Sequence, residues 1–220
     1  MRLLLIDHGC CDVPDTRVHH CREHLEKLGV QASACGPSSI SQLASHQPGL
    51  HGIHLHDVAA ASKLFLRAVQ DGTPIALLEA LATISPSLLG LVRETARQMV
   101  AEAVDANLPD VIFVFHAGIL TDLAIETGVP VVVHVSFSDL VVAGRNGFMR
   151  QRVTAAIASC NGIVATDADT AQALRQEWLS DDVHSPDEQV PIVIWPPSPH
   201  SAADILAVCQ CALSRRQYRA

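Results

Sequence analysis

The sequence predicts an α/β protein whose mainly parallel, doubly wound sheet of about seven strands sits in a three-layer α/β/α arrangement. Three observations carry that expectation. Short β-prone runs alternate with amphipathic segments of helical length along the whole chain. Val111-Ile112-Phe113-Val114-Phe115 is an unbroken apolar run, the pattern of a strand covered on both faces. Hydrophobic residues make up 49% of the chain while aromatics supply only 4%, so aliphatic side chains must fill the core.

In chain order, Leu3 to Ile6 is the first strand, and a polar, glycine-bearing loop from Asp7 to Asp15 follows. From Thr16 the apolar residues Val18, Cys21, Leu25 and Leu28 recur three or four apart, which predicts a helix stopped by Gly29. Val30 to Cys35 reads as the second strand, and the three pieces have the length of a βαβ unit. Residues 36–50 are polar and turn-rich; Gly52 to His56 is the third strand; Val58 to Gln70 reads as one helix and Thr73 to Thr83 as another. Ser85-Pro86 opens a longer helix, with Pro in its first turn, reaching Asn107.

The second half is more regular. After the fourth strand at 111–115, Ile119 to Thr127 is a short helix stopped by Gly128, and Val131-Val132-Val133 is the fifth strand. A polar loop through Asp139, Gly144 and Gly147 is expected next, then a helix from Phe148 to Ser159. Gly162 to Ala165 is the sixth strand, and Asp167 or Asp169 caps the helix that reaches Trp178. Val190 to Trp195 is the last strand, Pro196-Pro197 breaks it, and Ala202 to Gln217 is a closing helix. Right-handed crossovers then order the sheet 3-2-1-4-5-6-7.

At 220 residues, with no repeat or low-complexity linker, the chain reads as one domain over 1–220: a strand-helix core to residue 195 and a closing helix. The net charge is −8, and the one dense basic run is Arg215-Arg216. Nucleic acid and a basic membrane-docking face are therefore disfavoured as partners. The apolar run at the N-terminus stops at Asp7, too short for a signal peptide or a membrane span, so a cytoplasmic protein is expected. Seven cysteines (Cys10, Cys11, Cys21, Cys35, Cys160, Cys209, Cys211) include no Cys-x-x-Cys pair, which predicts free thiols.

In an open parallel sheet, ligands sit beyond the carboxyl ends of the strands where the strand order reverses. That directs attention to Asp7-His8-Gly9-Cys10-Cys11-Asp12 after the first strand and His116-Ala117-Gly118 after the fourth. His134, Ser136, Ser138 and Asp139 are read as following the fifth. Gly9 is the only glycine of the first loop, so the dinucleotide fingerprint is absent, as is a P-loop, and no cofactor is expected. His8, Cys10, Cys11, Asp12, His19, His20 and Cys21 are metal-ligand types, but their spacing is not that of a zinc site, and a polar loop with exposed histidines is the favoured reading. His116 leaves a buried strand directly into the crevice and precedes a glycine, so its imidazole is placed to donate to a hydroxyl or take its proton. A histidine that caps the next helix or bonds to backbone is the alternative.

The motif order resembles the amino-terminal domain of GT-B glycosyltransferases, the retaining family-4 group in particular. It rests on Met1 to Ile6 with its loop, Glu23 to Cys35, Pro109-Asp110-Val111-Ile112 running to His116-Ala117, Gly128 to Val133, and Gly162 to Thr166 followed by Ala171-Gln172-Ala173-Leu174. The resemblance implies a Rossmann-like domain that binds a sugar or small-molecule acceptor, while a second domain or partner holds the nucleotide-sugar donor. It places Gly9 near the donor phosphates and His116, the catalytic candidate, against the transferred sugar or acceptor. Gly9, Cys10, Asp12, Gly118, His134, Ser136 and Asp139 would line the substrate site. The chain departs from the family in having Cys10 and Cys11 where a second glycine is usual, and Ser136 where a histidine commonly follows the strand. The second domain, with its donor motif and phosphate clamp, is expected to be absent, so that the chain alone is inactive. A non-catalytic Rossmann-like binding or regulatory domain and a thiol- or metal-handling protein are the competing expectations, and a homo-oligomer stays open.

Overall fold

A computed structural model describes residues 1–9, 16–38, 49–179, 190–194 and 202–219. Seven strands form one sheet: β1 (Arg2–Ile6), β2 (Gln31–Pro37), β3 (Leu50–Ile53), β4 (Val111–Phe115), β5 (Val131–Val135), β6 (Gly162–Ala165) and β7 (Ile192–Ile194). Every pairing is parallel, and the order is β3-β2-β1-β4-β5-β6-β7, as the crossover argument predicts. Strand order reverses between β1 and β4, which pair directly with Leu5 opposite Phe113.

Alternation along the strands divides the interior into two layers. Ile112 and Val114 of β4, with Leu4 and Ile6 of β1, face one side. There they meet α2 (His56–Ala59), α3 (Lys63–Asp71), α4 (Pro74–Leu81), α5 (Pro86–Asn107), α6 (Ile119–Glu126), α7 (Phe137–Gly144), α8 (Gly147–Ser159) and α9 (Ala168–Ala173). Val111, Phe113 and Phe115, with Leu3 and Leu5, face the other side and pack under α1 (Arg17–Lys27) and α10 (Ala202–Arg219). The Phe113 and Phe115 rings meet edge to face, centroids 5.0 Å apart. With both faces covered, β1 and β4 hold no polar side chain within their core, and polar chemistry is confined to the ends of the strands.

Local chemistry explains the boundaries. Ser85 caps α5 by accepting from Leu88 N at 3.3 Å, with Pro86 at the first position. The chain turns out of α1 through Gly29 at φ 78° and out of α6 through Gly128 at φ 74°. Asp167, not Asp169, caps α9, accepting from Thr170 N at 2.7 Å; a π-helical turn (Leu174–Trp178) completes that segment.

Four expectations need correction. Residues 58–70 are not one helix: α2 ends at Ala59, and Ser62 starts α3 by accepting from Phe65 N at 3.3 Å, a side-chain cap that divides the segment. The third strand ends at Ile53, and His56 opens α2. β2 runs on to Pro37, which pairs with Ile53 at the sheet's edge, a position where a missing N–H is tolerated. The loop expected through Asp139 is helix α7, started by reciprocal bonds between Ser136 and Asp139. Trp195 and Pro196-Pro197 lie outside the described residues, as do Cys10 and Cys11; the remaining five cysteines are free, and only Cys211 is exposed. Among the described residues no helix is long and apolar enough to cross a membrane.

Phe113 is fully buried between β1 and the α1–α10 layer, whereas Leu91 on α5 is 60% exposed. Phe113→Ala is expected to cost about 3–5 kcal/mol in urea unfolding, and Leu91→Ala less than about 0.5 kcal/mol.

Candidate functional site

The carboxyl ends of β1, β4 and β5 bring three short polar segments together at the point of strand-order reversal. Asp7-His8-Gly9 leaves β1, His116-Ala117-Gly118 leaves β4, and Ser136 to Asp139 leaves β5.

His8 joins the first two. Its imidazole is 1% exposed; Nδ1 lies 3.1 Å from Phe115 O, and Leu120 N donates to Nε2 at 3.2 Å. A carbonyl on one nitrogen and an N–H on the other assign the tautomer: Nδ1–H donates to Phe115, and Nε2 accepts from the first turn of α6. Gly118 makes room for this clip, because a Cβ there would lie 2.5 Å from His8 Nε2 and 2.5 Å from Leu78 Cδ2. Thr121 stitches the turn from within, accepting from Gly118 N and donating to His116 O, each at 3.2 Å. Gly9 backs onto the corner between α3 and α4, where a Cβ would sit 3.1 Å from the Pro74 ring; its N–H is held by Asp7 Oδ1 at 3.0 Å.

His116 stands at the centre. Its backbone is left-handed at φ 69°, a conformation that costs a non-glycine residue on the order of 1 kcal/mol or more and that concentrates at functional sites. The turn holds it there, and the imidazole Nδ1 then lies 2.9 Å from Asp139 Oδ1. Asp139 Oδ2 accepts from Ala117 N at 3.2 Å and from Ser136 N at 2.9 Å. Burial opposes ionisation of Asp139, but the His116 hydrogen bond and charge, with the Ser136 donors, outweigh it and hold the carboxyl below the usual carboxylate range. An ionised, acceptor-only carboxylate takes the Nδ1 proton of His116, which leaves Nε2 as the reactive nitrogen. Nε2 makes no hydrogen bond among the described residues, and the residue is 7% exposed.

The residues singled out from sequence therefore divide. His116, Gly118, Asp139 and, through its cap, Ser136 come together, and Gly9 lies at the neighbouring strand end. His134 does not follow the fifth strand but lies within β5, opposite Phe115. It is buried, its ring centroid 6.2 Å from that of His116, with Thr166 Oγ1 3.5 Å from its Nε2. Cys10 and Asp12 lie outside the described residues. Of the thiol and histidine group at 8–21, His8 is engaged on both nitrogens, and burial pushes the Cys21 thiol up to about 12. No group of three or more His, Cys, Asp or Glu side chains placed to hold a metal occurs among the described residues. Sequence reasoning missed His8 as a structural clip and Thr121 as the brace of the turn. The one local sign was a histidine two residues beyond an apolar strand and immediately before a glycine.

The chain is similar in structure to sucrose-phosphate synthase from Thermosynechococcus elongatus, at 12% identity and a TM-score of 0.55 over 100% of each chain. It is also similar to the E. coli trehalose-6-phosphate synthase bound with UDP-2-fluoro glucose, at 10% identity and a TM-score of 0.58, covering 89% of this chain and 48% of that one. No family model and no curated protein matches the sequence. At such identities the likeness is one of fold. The chain has the three-layer, Rossmann-like fold of the GT-B glycosyltransferase domain.

Burial, and then the charge of His116, pushes the His8 imidazole down to about 4 from 6.5, against the pull of the Phe115 carbonyl and the Asp7 and Asp139 charges. The unfolded chain thus takes up a proton that the folded chain refuses. His8 contributes its full stabilisation above pH 6.5 and loses it as pH falls toward 4, a loss of up to about 3 kcal/mol. Urea unfolding at a series of pH values is expected to show the wild-type advantage over His8→Gln shrinking across that window. An advantage independent of pH would contradict it.

Proposed function

We propose that the chain is the acceptor-binding domain of a GT-B glycosyltransferase, acting with a donor-binding domain supplied by a further domain or a partner chain. One observation carries the reading: the buried His116–Asp139 pair lies at the strand-order reversal, the place where an open parallel sheet receives ligands. The GT-B fold supports it. So does the composition of the site, which among the described residues offers an imidazole nitrogen held in one orientation, as suits a neutral hydroxyl-bearing ligand.

In this reading Asp139 fixes the ring and tautomer of His116, and Nε2 accepts a hydrogen bond from an acceptor hydroxyl. As that oxygen forms its bond to the anomeric carbon, the bond from carbon to the donor's phosphate oxygen breaks and the leaving group keeps the electron pair. The hydroxyl proton passes to Nε2. Preorganisation is the contribution of this chain: the left-handed turn, the His8 clip and the Asp139 carboxylate hold the imidazole before any ligand arrives. The leaving phosphate would be stabilised by donors on the donor-binding side. A non-catalytic binding domain of the same shape is the second reading, favoured by the near-complete burial of His116.

The two separate in one experiment. The full chain is titrated with a library of glycosides and sugars while the His116 ring signals are followed by NMR, and transfer from a nucleotide sugar is assayed with a donor-binding domain added. Saturable shifts at His116 and transfer that falls about 10²–10⁴-fold in Asp139→Asn are expected. Binding without transfer would favour the second reading, and a library that leaves His116 unmoved would overturn both.

A further inference from the structure

A second place on the molecule has the makings of a binding site, and no step proposed above uses it. A cavity of about 170 Å³ lies between α5, α6 and α8, and Pro86, Ile119 and Phe148 from the first turns of the three helices are part of its lining. Arg93 and Arg97 of α5 and Arg152 of α8 line the same cavity.

These arginines are held in place without being used up. Arg93 Nε and Nη2 donate to Asp122 Oδ2 at 3.1 and 2.8 Å, and Nη2 also meets Glu126. Arg97 bonds Glu126 Oε2 through Nε at 2.9 Å and Glu94 through Nη1, and Arg152 bonds Asp122 through Nη1. Arg93 Nη1, Arg97 Nη2 and Arg152 Nε and Nη2 make no hydrogen bond among the described residues; Arg152 Nε is fully enclosed as well. The Arg152 guanidinium lies 5.0 Å over the Phe148 ring, which fixes its plane. Three carboxylates balance three guanidiniums, and the unused N–H groups of the arginines are the donors left for an anion. The same three arginines that join the helices line the space between them. The rest of the lining is apolar: Leu89, Met149 and Val153.

We infer that this cavity binds a small organic phosphate, its oxyanion on the free edges of Arg97 and Arg152 and its apolar body against Leu89, Met149 and the Phe148 ring. Gly118, where a Cβ would lie 2.5 Å from His8 Nε2, forms part of the wall. The inference stands without the acceptor-binding reading, because its test measures binding and not transfer.

The test titrates the full chain with phenyl phosphate, inorganic phosphate and phenol by calorimetry and amide NMR. Phenyl phosphate is expected to bind saturably at one site with shifts at Ile119, more tightly than inorganic phosphate, and phenol not at all. Arg97→Gln and Arg152→Gln should each weaken phenyl phosphate at least about tenfold, the loss of a charge-assisted hydrogen bond, while Arg145→Gln, away from the cavity, leaves it unchanged. Should Arg152→Gln fail to fold, Arg97→Gln decides alone, since that side chain is 38% exposed. Absence of saturable binding, equal affinity for phenol, or unaltered affinity in Arg97→Gln would overturn the inference. Equal affinity for the two phosphates would overturn its apolar half.

Discussion

His8 uses both ring nitrogens across the β1–β4 junction, one on the last carbonyl of β4 and the other on an amide in the first turn of α6. The rest of the site is built against that bridge. With the imidazole seated, residue 118 has no space for a side chain, the chain between β4 and α6 must turn sharply, and His116 is driven into a left-handed conformation. Thr121 closes the turn with two further bonds. The bridge holds only while the ring is neutral, because an imidazolium would present a proton to the Leu120 amide in place of a lone pair.

A second constraint acts from β5. Asp139 lies in the first turn of α7, so its carboxylate serves at once as partner of the helix start, acceptor for Ala117 N and anchor for His116. A buried charge is tolerated when its acceptor capacity is filled, and here that filling is what fixes the imidazole. The helix that the sequence reading lost is therefore the element on which the dyad depends. Capping and chemistry use the same atoms, and neither can be altered alone.

The sheet was legible because β4 is covered on both faces: the run from Val111 to Phe115 has no polar residue to disguise it, and the alternation of elements leaves few ways to wind a parallel sheet. α5 was equally plain, with Ser85, Pro86 and a long apolar stripe. The polar ends were harder. Gly144 and Gly147 suggested a loop at 136–147, although Ser136-x-x-Asp139 is a helix-start signature that outranks glycines at a helix end. Ser62 divided a stretch whose hydrophobic period ran on without break. His134 ends an apolar run, which hid its place within β5. His8 could not be read at all, since its partners are 107 and 112 residues away in sequence, and hydrogen bonds at that separation leave no local pattern.

Two histidines, His8 and His116, are held in defined tautomers by partners at the ends of β4 and in the first turns of α6 and α7. Nitrogen-resolved NMR of the imidazoles in the full chain measures this directly. In mildly alkaline buffer both neutral rings are expected to carry their proton on Nδ1, and acidification is expected to leave His8 neutral until the pH nears 4. A His8 that titrates near its ordinary 6.5, or a neutral His116 with its proton on Nε2, would contradict it.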